Sequence, residues 1–161
     1  MRFSKVLTVM VVFSLALTGM YCTKTEDPVK NTSPLVGTWV ANSDVPGTQM
    51  IYDGTDTNPL FILDGLQLGA SIQITIKNDN TYSMTLSLPG EAPELEDGNW
   101  SVNANQITLT PKDFPEDAIT FTYAVSGDMA TLASLDGEVT FDFGAGEIPV
   151  TMIIVLKKTT T

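Results

Sequence analysis

The segment Ser71–Leu88, SIQITIKNDNTYSMTLSL, alternates apolar and polar side chains on both sides of an Asn/Asp-rich centre. Ile72, Ile74 and Ile76 share one face, with Ser71, Gln73, Thr75 and Lys77 on the other. Successive side chains of an extended chain point to opposite faces, so a period of two describes a strand with one dry and one wet face. After Asn78-Asp79-Asn80 the alternation resumes, with Tyr82, Met84, Leu86 and Leu88 against Thr81, Ser83, Thr85 and Ser87. Short polar side chains between two such runs favour a tight turn, and the stretch predicts a β-hairpin.

The same pattern runs onward. Trp100 and Val102 lead to a turn at Asn103-Ala104-Asn105, then Ile107 and Leu109. Ile119, Phe121, Tyr123 and Val125 face inward, turn at Ser126-Gly127-Asp128, and return through MATLASL, residues 129–135. EVTFDF (138–143) and VTMIIVLKK (150–158) finish the series. No window carries a helical 3.6 period, although one short helical turn fits within Asn58–Leu66. The result is an all-β fold with a Ser/Thr-rich outer face. Short local connections favour a single antiparallel up-and-down barrel of about eight to ten strands, since closure removes bare edges.

One connection is long. Between Ala41 and Gly69 lie several Gly/Asp turn signals together with Met50, Ile51, Tyr52, Leu60, Phe61, Ile62, Leu63, Leu66 and Leu68. Two readings fit: a further strand or plug over one barrel end, or an apolar lid over a ligand mouth. The first ranks ahead, because apolar loop residues usually pack. Two other loops are acidic: Pro89–Gly98 with Glu91, Glu94, Glu96 and Asp97, and Pro111–Ala118 with Asp113, Glu116 and Asp117. Neither these nor Asp53, Asp56 and Asn58 match a defined calcium loop, so they read as solvated turns and no metal site is expected.

The N-terminus reads differently. Residues 1–21 place Arg2 and Lys5 before an apolar run, Val6–Leu17, with small residues at Thr18 and Gly19. That is the layout of a secretory signal peptide and short for a membrane span. Cys22, the only cysteine, stands where a bacterial lipoprotein carries its lipid, although Tyr21 and Gly19 occupy positions that usually hold a small residue and a Leu. Residues 22–34 are polar and Pro-containing, as a flexible tether would be. The chain therefore reads as exported to a cell envelope, anchored through Cys22 on the periplasmic or surface face. The alternative is cleavage near Gly19 and release as a secreted protein with a free thiol.

Charge and absences narrow the function. The whole chain carries −11; residues 22–161 hold six lysines against 19 acids, or −13. A field of that sign repels phosphate backbones and anionic headgroups, which excludes nucleic acid and leaves the membrane only through the lipid anchor. There is no histidine, and the one arginine, Arg2, lies in the leader. Triads, Cys–His pairs, His/Cys zinc sites and guanidinium anion clamps are thereby excluded. No acid pair stands out for carboxylate-dyad hydrolysis, no cofactor motif is present, and a non-enzymatic role is expected.

Two tryptophans share a local signature: Gly37-Thr38-Trp39 within LVGTWV and Gly98-Asn99-Trp100 within EDGNW. Together with ITIKNDNTYSMTL and YAVSGDMATLAS in the same order, the layout of 35–158 resembles the lipocalins, and in particular the lipocalin-like domains of bacterial envelope lipoproteins. The resemblance implies that Gly37 admits a close approach and that Trp39 closes the narrow end of the barrel, with Gly98 and Trp100 doing the same for a later strand. Lipocalins place an arginine over the first tryptophan; this sequence offers Lys157 and Lys158 there. It also implies a monomer that holds a small apolar ligand, lined by Ile72, Ile74, Met84, Leu86, Phe121, Tyr123, Phe141 and Met152. The bulk of these side chains suits a largely filled interior. A ligand-free structural or interaction module of the envelope is the competing expectation.

Overall fold

The structure, a computed structural model, describes residues 33–54, 62–135, 139–142 and 147–159. The leader, Cys22 and most of the tether lie outside the described residues, as do the side chains of residues 141–148. Eleven strands form: β1 (Gly37–Ala41), β2 (Gln49–Gly54), β3 (Ile62–Asp64), β4 (Ser71–Ile76), β5 (Thr81–Ser87), β6 (Glu94–Asn103), β7 (Gln106–Pro111), β8 (Ile119–Ser126), β9 (Met129–Ser134), β10 (Val139–Asp142) and β11 (Glu147–Lys158). A 3₁₀ turn, Pro115–Asp117, precedes β8. All pairings are antiparallel, and β1, β4 to β9 and β11 close into an eight-strand barrel.

The hairpins at the heart of the fold form where alternation and turn chemistry coincide. In β4–β5, Ile74 pairs with Met84 and Ile76 with Tyr82. At its turn, Asn80 takes φ 65°, and the Asp79 carboxylate accepts the Thr81 amide at 3.0 Å and hydroxyl at 2.6 Å. Those two bonds, the hydroxyl's first, lower the Asp79 pKa from its ordinary value. The wet face is held as well. Thr38 and Thr75 are cross-strand partners with hydroxyls 3.1 Å apart, and Thr108 and Thr120 repeat the arrangement at 3.1 Å.

The long connection after Ala41 contains two strands, β2 and β3, which supports its reading as further sheet. The helical turn expected within Asn58–Leu66 is replaced over Ile62–Asp64 by strand β3. β11 explains the topology. One of its edges takes β9 along Ile153–Lys157 and β10 along Glu147–Val150. The other takes β1 at Lys157 and Lys158, then β2 along Val150–Val155. β1 and β2 thus act as one strand interrupted by residues 42–48, and β4 and β3 pair along them interrupted by 65–70. The second interruption folds Leu66 and Ala70 into the core, with Gly65 against the Met50 side chain.

Candidate functional site

The two Gly-x-Trp segments bury their tryptophans, Trp39 and Trp100, at the barrel end that carries the β4–β5 turn, the lower end. Trp39 is fully buried and its indole N–H donates to the Leu35 carbonyl at 2.6 Å. The Lys158 ammonium lies 5.2 Å from the Trp39 ring centroid, as a cation over the aromatic face. Gly37, at φ 139°, makes this approach possible, because a Cβ there would stand 2.5 Å from Lys158 Cε. Trp100 donates its indole N–H to the Lys77 carbonyl at 2.9 Å.

Gly98 serves a different contact. It is the cross-strand partner of Tyr82, and a Cβ would meet the Tyr82 ring at 2.8 Å and collide with the Thr110 carbonyl oxygen. The Tyr82 hydroxyl, brought across the glycine, donates to Glu96 Oε1 at 2.5 Å. Burial first, and then this bond and the charges of Glu96 and Asp97, push the Tyr82 pKa far above its ordinary value. Tyr52 is also raised, by burial.

Above the tryptophans lies a cavity of about 70 Å³, walled by β4 to β9 and β11 and by Asp117 of the 3₁₀ turn. Of the eight lining residues expected from sequence, Ile72, Ile74, Met84, Phe121 and Met152 do line it. Leu86 and Tyr123 do not. Both pack half-buried against the core, and the Tyr123 hydroxyl donates to the Ala104 carbonyl at 3.5 Å near the lower end. Phe141 is in β10, which among the described residues pairs with β11 alone, and its side chain lies outside the described residues.

The cavity also uses Leu109, Leu132, Ile154 and Leu156, together with two carboxylates, Glu96 and Asp117. Glu96 could have been found by counting. It lies two residues before Gly98 and four before Trp100, on the same inward face of β6. Its place in an acidic run hid that parity. Asp117 had no comparable signal, because no strand period reaches it.

Glu96 and Pro111 are shared with a groove outside the barrel, lined further by Glu94, Leu95, Asp97, Asp113 and Phe114. Phe114 is 61% exposed. Lys77 and Lys112 line a separate depression beyond Asp97. Among the described residues, no group of three or more acidic, Cys or His side chains is placed to hold a metal ion. These features define a closed antiparallel barrel with a small hydrocarbon chamber and an acidic rim. The chain matches no protein-family model and no curated protein.

Proposed function

We propose that this protein is an exported, non-enzymatic, lipocalin-like barrel that holds a small apolar ligand, tethered to the cell envelope through Cys22 and a short linker. The observation that carries the reading is the apolar cavity enclosed by seven of the barrel strands. Its lining is hydrocarbon except at Glu96 and Asp117, and such a lining favours apolar guests. At about 70 Å³ it is roughly half the volume of a cavity that admits benzene, which leaves room for an aliphatic chain of about three carbons and excludes a ring system. Met84 and Met152, both in the wall, are unbranched and adapt to the guest.

Apart from Glu96 and Asp117, the lining offers no hydroxyl or amide to orient a polar substrate, which favours binding over hydrolysis. The test combines two measurements. Native mass spectrometry of the protein from its own membrane fraction should show mass that leaves on denaturation, and calorimetric titration with propanol should show saturable binding. A bare chain that also ignores propanol would sink the reading.

A second reading has its own support. Ile62, 72% exposed, opens the short strand β3, and Leu68, 56% exposed, follows it; the pairing of β3 among the described residues is to β2 alone. That is the character of a sheet edge used for protein contact, and envelope crosslinks through this edge would favour an interaction module instead.

A further inference from the structure

The carboxylate of Glu96 is unusual among the described acids because it stands in the wall of a hydrocarbon chamber. It is half-buried, inward-facing, and oriented by the hydroxyl of Tyr82, itself only 1% exposed. Asp117 borders the same chamber from the 3₁₀ turn. The acids of the outer groove taken alone would be an ordinary solvated surface. What distinguishes them is continuity, since Glu96 and Pro111 belong to both the chamber and the groove. A molecule filling the chamber and reaching solvent at this point would pass carboxylates on its way out. No lysine lines either space.

We infer that the chamber takes a short-chain alkylammonium, its few carbons among Ile72, Phe121, Leu132 and Ile154 and its nitrogen at Glu96 and Asp117. The inference rests on the chamber being a ligand site. It adds a polarity that the chamber's hydrocarbon alone does not specify. An ammonium leaving water here meets two anions bordering a low-dielectric wall, where a charge-assisted hydrogen bond is stronger than in bulk solvent. A carboxylate head would meet the same anions and be repelled. The aromatic face of Phe114, exposed beside the groove, suits a methylated ammonium as well as a primary one.

Calorimetric titration of the intact protein with propylamine, propanol and propanoate separates the possibilities. The expected order is propylamine ahead of propanol by about tenfold or more, with propanoate weakest. Salt should weaken propylamine binding and leave propanol unchanged. Glu96→Gln keeps an oxygen to accept the Tyr82 hydroxyl and should erase most of the amine preference while retaining propanol affinity, which also reports that the barrel is intact. Asp117→Asn, on the exposed turn, should do the same in part and serves if Glu96→Gln does not fold. Equal binding of amine and alcohol, or an unchanged preference in both variants, overturns the cationic head and leaves the apolar chamber standing. Failure of all three probes overturns both.

Discussion

Gly37 and Gly98 occupy the same place in two copies of one local signature, yet the structure gives them different obstacles. At Gly37 a new Cβ meets the flexible stem of Lys158, which can swing aside at the loss of its stacking on Trp39. At Gly98 it meets the backbone oxygen of Thr110 and the buried ring of Tyr82, neither free to move. Gly37→Ala should therefore cost about 1–2 kcal/mol, largely through its positive φ. Gly98→Ala should cost about 3 kcal/mol or more, as overpacking against backbone does. Urea melts of the two variants check the order, and equal costs would contradict the contact argument. The need for glycine was legible in the sequence at both positions, but the identity of each obstacle was not. Lys158 lies 121 residues from Gly37 in the chain, and only barrel closure brings them together.

Among the elements, those with uninterrupted alternation were the most readable. Ile72, Ile74 and Ile76 are all buried as their period of two requires, and so are Ile107 and Leu109. Strands β2 and β3 were harder, because each is half of a broken strand and the breaks carry the same Gly and Asp residues that mark ordinary loops. The wall residue Glu96 was missed for a related reason, its parity being overwritten by neighbouring acids. Even a clearly read turn holds a local cost. Ala104, at the tip of the β6–β7 hairpin, has φ 54°, a left-handed conformation that disfavours any Cβ. Ala104→Gly should raise stability by about 0.5–1 kcal/mol, seen as a higher urea midpoint at unchanged slope; a lower midpoint would show that chain entropy outweighs the relieved strain.

For the molecule as a whole, stability should depend on alkaline pH through its buried tyrosines. Tyr82 and Tyr52 both titrate above their ordinary value of 10.0, so the folded protein keeps protons that the unfolded chain releases. Their stabilising contribution is complete below about pH 10 and is lost as the pH rises beyond it, since the unfolded state then binds fewer protons. Tyr82→Phe should lower stability near pH 7 by about 1 kcal/mol through loss of the Glu96 hydrogen bond. It should also show a shallower decline between pH 9 and 11 than the parent protein. Parallel pH profiles for the two proteins would mean that Tyr82 ionises as freely folded as unfolded.

The double duty of β11 has a consequence in time. It supplies the partner for β9 on one edge and for β1 and β2 on the other, and it follows all of them in the chain. While a ribosome is still making the polypeptide, β1 and β9 each wait for a neighbour that does not yet exist. No ring can form early, and the hairpins made so far remain an open ribbon held by local contacts. Pairing Trp39 with Lys158 then closes a loop of more than a hundred residues in one late, slow step. Until that moment the nascent chain remains threadable, and any product that stops short of β11 is left with raw edges for chaperones and proteases to find.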